Sequence, residues 1–497
     1  MLIQNQVKRS DMISCLLCME APCSKACDSF NPGDALRSIW FDNEDVASLK
    51  IPEGNPCVNC SAPCEEVCIS DSKVPVKALM SELAWSIRTK AEIAMPSDEE
   101  RLKCDICGVP LENPFLLSSS VVASTYDMCA RAFEAGWAGI SFKTVCSLDI
   151  HEASPRFSAI TGDNGSIIGF KNIEQLSDHS VAENMQIFRE LKKNYPTKFI
   201  LASIMGQNEE EWESLAKLCE ENGADAIELN FSCPNMQEDG LGSDIGQVPE
   251  LVEKYTKAAK RSTTIPVLAK LTPNVATMSP AAEAALRGGA DGIAAINTIK
   301  SVIGVNPLTY VSAPAVKGKS AVGGYSGNAV KPIALRFISE LGQNPNLQGM
   351  HISGMGGIET WRDSLEFILM GAGSIQITTA VMQYGYRIID DLKSGLNYYL
   401  AQMGIKSVKD IVGAGLDSIS DTTDVLERDT VLFPKFDLDK CVGCGRCVIS
   451  CSDGGHQAIK FENRRPKLDG SKCVGCHLCL LVCRQDAISS SKKRISR

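Results

Sequence analysis

Residues 199–232 read FILASIMGQNEEEWESLAKLCEENGADAIELNFS, and the order of their parts decides the fold. An apolar, β-rich run from Phe199 to Gly206 gives way to an acidic amphipathic stretch, Glu209 to Asn222, and then to a second apolar run, Ala226 to Ser232. Strand, helix and strand in that order predict parallel neighbours joined by a crossover helix. The pattern continues on both sides, from about residue 104 to 425. Further strands are expected at Asn113 to Ser120, Gly139 to Val145, Pro266 to Pro273, Gly292 to Ile299, Met350 to Gly357 and Ser374 to Val381, with helices at Glu250 to Arg261, Ala281 to Gly288, Lys331 to Leu341 and Trp361 to Met370. About eight strand-helix units predict an α/β fold closed as a (β/α)8 TIM barrel with insertions. An open doubly wound sheet is the competing arrangement, and the lack of a G-x-G-x-x-G opening any helix weighs against it.

Both flanks of this body are rich in cysteine. The 497 residues contain 22 cysteines, sixteen of them in four tight groups whose spacing suits metal ligation rather than disulfides. Near the C-terminus, Cys441, Cys444, Cys447 and Cys451 form a C-x2-C-x2-C-x3-C run that Cys473, Cys476, Cys479 and Cys483 repeat. This is the spacing of two-cluster ferredoxins, in which the fourth cysteine of each run crosses to the other 4Fe-4S cluster. Cys483 is therefore expected with Cys441, Cys444 and Cys447, and Cys451 with Cys473, Cys476 and Cys479. Ser452 and Arg484 stand where a proline usually follows the run.

At the other end, Cys15, Cys18, Cys23 and Cys27 precede Cys57, Cys60, Cys64 and Cys68 at less regular intervals. Eight thiolates suffice for two more 4Fe-4S clusters, structural zinc is the alternative, and spacing alone does not divide them between sites. An isolated Cys104-x-x-Cys107 reads as part of a β-hairpin leading into the barrel. A helix carrying Val76, Leu79, Leu83 and Ile87 follows the second group, and Met95-Pro96-Ser97-Asp98 reads as a break. The resulting division is an N-terminal helical iron-sulfur domain over 1–100, the barrel over 101–430 and a ferredoxin-like domain over 431–497.

A formal charge of −10 and a pI near 5.3 argue against a nucleic-acid partner. No apolar run reaches membrane-span length and the N-terminus lacks a secretory h-region, so a cytoplasmic protein is expected.

Chemistry in this fold gathers where the strands end. Lys143 and Lys270 end the second and fifth strands, and cations there would stabilise negative charge on a reduced flavin ring. The run Ser353-Gly354-Met355-Gly356-Gly357 and the pair Thr378-Thr379, after the seventh and eighth strands, fit the phosphate cradle of such barrels. Asn230 ends the fourth strand and Asn297-Thr298 the sixth; carboxamides can read the alternating N–H and C=O edge of a cyclic imide. Cys233 precedes a loop dotted with Gly240, Gly242 and Gly246, expected to act as a lid.

Taken together, ELNFSCPN, AKLTPNV, GIAAINT, GGYSGNAVKPIALRF and SGMGGIETW resemble the dihydropyrimidine dehydrogenases, most nearly their bacterial catalytic subunits, from about Cys104 to Cys483. The N-terminal CLLCMEAPC is similar to the iron-sulfur domain that opens the animal enzyme. The resemblance implies FMN in the barrel mouth, with Ser119, Lys143, Thr144, Lys270, Ser326, Gly327, Gly356, Gly357, Thr378 and Thr379 at cofactor-contact positions. It implies Asn230, Asn297 and Thr298 as contacts to a pyrimidine base and Cys233 as the acid that protonates C5 while hydride reaches C6. The animal enzyme also has FAD- and NADPH-binding domains where Met95 to Arg101 stands here. A separate FAD and NAD(P)H flavoprotein subunit, or a ferredoxin, is thus the implied electron donor, and a homodimer is implied by the same analogy. Competing expectations are another FMN barrel such as a dihydroorotate dehydrogenase, or a non-catalytic electron conduit; intact Lys143, Cys233 and Lys270 speak against the latter.

Overall fold

The computed structural model describes residues 9–88, 95–162, 165–235, 242–420, 422 and 425–496. They form two compact units, Met1–Ser418 and Ile419–Arg497.

The first unit is built on a closed parallel barrel of eight strands: β1 (Phe115–Leu117), β2 (Gly139–Ser141), β3 (Phe199–Ile204), β4 (Ala226–Asn230), β5 (Val267–Lys270), β6 (Gly292–Ala295), β7 (His351–Gly354) and β8 (Ser374–Ile377). Each pairs with its sequence neighbour, and β8 closes on β1 through Ile375–Phe115 and Gln376–Leu116. Nearly every strand residue is buried, as it must be when helices cover one face and side chains fill the other. The crossover helices form where the sequence placed them: Glu209–Glu221, Pro249–Arg261, Ser279–Arg287, Lys331–Gln343 and Trp361–Leu369.

At the strand starts, Cys104–Ile106 and Val109–Leu111 make the expected antiparallel hairpin. Burial pushes the Cys104 and Cys107 thiols up to about 12, so both stay protonated and inert.

The sequence reading had no counterpart for one sheet. Ile299–Ser301, Gly323–Ser326, Ile167–Asn172 and Phe157–Thr161 pair antiparallel, in that order, beside the barrel mouth. They come from the insertions after β2 and β6.

The N-terminal cysteine segment shares one continuous buried core with the barrel. Asn31 caps the helix Pro32–Trp40, accepting from Asp34 N at 3.1 Å, and that helix carries Arg37 and Ser38 to the barrel's last helix, Ile388–Gln402. There the buried Asp391 carboxylate accepts from Arg37 Nε at 2.7 Å and Ser38 Oγ at 2.6 Å. Asn43 Nδ2 donates to Asp391 O at 3.3 Å, and Trp361 Nε1 donates to Asp42 O at 2.7 Å. In the helix Val76–Arg88 the expected apolar face, Val76, Leu79 and Leu83, is buried; the Ile87 side chain lies outside the described residues.

The second unit carries two short helices, Arg446–Gly454 and Leu478–Leu481, and three two-stranded pairs: Thr430–Val431 with Ile495–Ser496, Pro434–Phe436 with Ile488–Ser490, and Ile459–Glu462 with Arg465–Leu468. Among the described residues no helix is long and apolar enough to cross a membrane.

Candidate active site

A cavity opens at the C-terminal ends of the barrel strands, where chemistry gathers in this fold. Ser119, Lys143, Thr144, Lys270, Ser326, Gly327, Gly356, Gly357, Thr378, Thr379, Asn230, Asn297, Thr298 and Cys233 all line it.

Burying a lysine ammonium requires a partner, and both strand-end lysines have one. Lys270 Nζ lies 3.1 Å from Glu228 Oε1, inside the barrel. Glu228 also accepts from Ser141 Oγ at 3.0 Å and, through its second oxygen, from Gln376 Nε2 at 3.0 Å. The layer beneath the cavity is therefore polar and internally paired, except that Gln376 Oε1 is buried without a partner. Lys143 Nζ stands 3.5 Å from Glu152 Oε1 and 3.8 Å from Glu174 Oε1, and Arg156 Nε is 3.1 Å from the same Glu174 oxygen. The two cations expected at the mouth are present, each with its carboxylate.

The carboxamides are set by a hydrogen-bonded chain. Asn230 Nδ2 donates to Thr144 Oγ1 at 2.9 Å, while its Oδ1 accepts from Ser232 Oγ at 2.8 Å. Asn297 Nδ2 in turn donates to Ser232 Oγ at 2.7 Å. Ser232 thus fixes the orientation of both amides, a role the sequence did not reveal.

Cys233 is 6% exposed, just beyond β4. Burial, opposed by a hydrogen bond from the Asn235 backbone and assisted by the Glu152 charge, pushes its thiol up to about 11. It is therefore a protonated acid across the neutral range. Asn235 Nδ2 donates to Asn172 Oδ1 at 3.1 Å and to Glu174 O at 2.7 Å, which ties the Cys233 segment to the side sheet. Of the expected lid loop, 236–241 lie outside the described residues; Gly242 and Gly246 lie within them.

At the opposite wall the backbone is crowded. Gly356 and Gly357 sit at φ +124 and +79, and a Cβ on Gly357 would lie 2.7 Å from Lys331 N and 2.9 Å from Gly327 O. Only glycine allows these turns to close on the first turn of Lys331–Gln343. Ser326 Oγ and Thr379 Oγ1 share a hydrogen bond of 3.0 Å beside them. Hydroxyls, bare backbone and a helix start together fit a phosphate group. Ser353, read as part of that cradle, instead faces the barrel interior, accepting from Ser374 Oγ at 2.9 Å.

The side sheet adds Phe157, Phe170, Asn172 and Tyr325 to the lining, and Glu174 and Gln175 follow its Ile167–Asn172 strand. None of these was expected. The sequence offered no sign of that strand: IIGFKN lacks an apolar-polar alternation, and the positions it buries are Gly169 and Lys171.

The cysteines gather in fours. In the second unit one pocket is lined by Cys441, Cys444, Cys447 and Cys483, and another by Cys451, Cys473, Cys476 and Cys479. In the first unit Cys15, Cys18, Cys23 and Cys68 line a single pocket. The other four thiols form a second set. Cys57 is pushed up by burial and then by Cys60 and Cys27; Cys64 is pushed up to about 11 by burial, Glu65, Cys27, Cys57 and Cys60. Each group lends one cysteine, Cys27 or Cys68, to the other.

Residues 435–490 match a 4Fe-4S dicluster domain, and residues 101–400 match the dihydroorotate dehydrogenase family. A barrel with this mouth and an iron-sulfur tail defines an oxidoreductase. The chain belongs to the dihydroorotate dehydrogenase family. It is 52% identical over 363 residues to the NAD-dependent dihydropyrimidine dehydrogenase subunit PreA of Escherichia coli K12, covering 73% of this chain and 88% of that one. It is 37% identical over 343 residues to the chloroplastic dihydropyrimidine dehydrogenase (NADP(+)) of Arabidopsis thaliana, covering 66% and 80%. Identity is also 37% over 320 residues to the catalytic subunit of dihydroorotate dehydrogenase B (NAD(+)) of Pyrococcus horikoshii, covering 63% and 98%.

Proposed function

We propose that this chain is the catalytic subunit of a dihydropyrimidine dehydrogenase that reduces the C5–C6 double bond of uracil or thymine. The observation that carries this reading is the shielded, protonated Cys233 thiol in one cavity with two oriented carboxamides.

FMN fits the cavity: Ser326, Gly327, Gly356, Gly357, Thr378 and Thr379 would hold its phosphate, and Ser119, Lys143, Thr144 and Lys270 its ring. Bound FMN would supply the hydride that C6 receives. Asn230, Asn297 and Thr298 bind and orient the flat ring through its amide edge, and Cys233 delivers the proton to C5. Sixteen cysteines in four sets of four would hold four 4Fe-4S clusters, two at each end. Electrons enter from a separate flavoprotein carrying FAD and NAD(P)H, or from a ferredoxin.

A dihydroorotate-type substrate fits less well. Its carboxylate needs a cation, yet Lys143 and Arg156 are already engaged by Glu152 and Glu174, and Lys270 by Glu228. The test is an oxygen-free assay with a reduced viologen as donor. Uracil should be converted to 5,6-dihydrouracil, orotate should not, and NADH without a partner protein should support neither. Preferential turnover of orotate would overturn the assignment.

A further inference from the structure

The two N-terminal cysteine sets sit in different electrostatic surroundings. Beside the set of Cys27, Cys57, Cys60 and Cys64, Lys77 Nζ donates to Cys60 O at 2.6 Å, and Glu65 Oε1 accepts from Lys77 N at 2.7 Å. Cation and anion stand together there. The pocket of Cys15, Cys18, Cys23 and Cys68 is lined by three cations and one anion, Lys25, Arg37, Arg387 and Asp34, and Lys25 pairs with Glu20. Arg37 is neutralised by Asp391 at 2.7 Å, with Asp34 and Asp390 at 3.5 Å. Arg387 makes no ion pair among the described residues, although Asp34 and Asp391 act on it from a longer distance; its guanidinium donates to Leu17 O at 2.6 Å, Cys18 O at 3.4 Å and Tyr384 O at 3.2 Å. It reaches the cysteine turn from the barrel side, immediately before the helix Ile388–Gln402.

We infer that Arg387 is a positioning residue that raises the reduction potential of the cluster held by Cys15, Cys18, Cys23 and Cys68 above that of its neighbour held by Cys27, Cys57, Cys60 and Cys64. The inference rests on the proposed presence of clusters at these thiols. Adding one electron from an outside donor takes a cubane and its four thiolates from a charge of −2 to −3, with no proton needed. A guanidinium at the pocket wall with no carboxylate in direct contact favours the more negative state, and its hydrogen bonds to the Leu17 and Cys18 carbonyls draw density from the ligand turn. The second set, with its balanced Lys77 and Glu65, gains little. Within this pair an electron is therefore held more favourably by the set beside Arg387 than by the set beside Lys77 and Glu65.

The experiment is a potentiometric titration of the full chain, with cluster reduction followed by electron paramagnetic resonance. The wave of interest is the one that disappears in Cys15→Ser. Arg387→Gln should make reduction of that cluster at least about tenfold less favourable, a shift of about 59 mV to lower potential for one electron, while the other waves stay in place. Arg387→Lys, which keeps the charge, should recover most of the shift. An unmoved wave in Arg387→Gln at full iron content overturns the inference, as does an equal shift of all waves. If Arg387→Gln loses iron, Arg387→Lys decides: a wave within a few millivolts of wild type supports the role of charge, and a tenfold loss overturns it. Iron and sulfide sufficient for only two clusters in the wild-type chain would instead remove the cluster assignment at the N-terminus, an outcome separable from failure of the arginine alone.

Discussion

The two cysteine-rich ends hold the same number of grouped thiols by opposite means. The C-terminal unit is small, with helices of nine and four residues, and repeats one local run twice, so that chain spacing alone brings each fourth cysteine to the other run's pocket. The N-terminal segment has irregular spacing and depends on the barrel: its helices are fastened to Ile388–Gln402 through Asp391 and Asn43 and to Trp361–Leu369 through Trp361, and a barrel arginine lines its first pocket. Local spacing suffices where the cluster motif folds as its own module. Where the cysteines lie far apart along the chain, tertiary packing has to assemble them.

The sharpest way to break this comparison is to cut the fastening. Asp391→Ala leaves Arg37 and Ser38 without their buried acceptor, and the cost should be roughly 3 kcal/mol of unfolding free energy for the first unit, read from denaturant titration. The N-terminal clusters should be released before the C-terminal ones. Simultaneous loss at both ends would show that the N-terminal set does not depend on the barrel.

The crossing pattern comes next. Cys68→Ser and Cys483→Ser should each remove one cluster of four and leave the partner set intact, seen as loss of about a quarter of the iron. Loss of both clusters at one end would mean that the sets are not divided as the pockets are. A smaller effect is expected at the mouth: Gly357→Ala forces a Cβ against Lys331 N and Gly327 O, and flavin retention should weaken by about tenfold, or about 1.4 kcal/mol, while both cysteine ends keep their iron. Smallest of all is Arg494→Ala in the second unit. Its pairing with Glu427 is solvent-exposed, and no measurable change in stability is expected.

How legible each part was follows from the same physics. The eight barrel strands could be read because each is a mostly apolar run buried on both faces, with polar residues such as Asn230 and Lys270 at or just beyond the end of several. Cavity residues supplied by those strand ends were recognisable for the same reason. Phe157, Phe170, Asn172 and Tyr325 were not, because they stand on four- to six-residue antiparallel strands inside insertions, where no long-range period exists. Glu228, a lone acid in the apolar AIELN strand, was visible in the sequence, but its pairing with Lys270 depends on the parallel register that sets β4 beside β5. The division of the N-terminal cysteines into two sets was likewise beyond spacing, since Cys27 and Cys68 each join the group more distant in sequence.

The central claim is that Cys233 is the acid that protonates the pyrimidine. The most direct test is single turnover without oxygen: reduce the flavin, add uracil, and follow flavin reoxidation as a function of pH. Wild-type protein should react until the thiol ionises, with the rate falling as pH rises through about 11, rather than near 8.5 where an unperturbed cysteine titrates. Cys233→Ala should slow the step by roughly 10^3-fold with uracil affinity and iron content little changed. Equal rates for the two proteins would contradict the account.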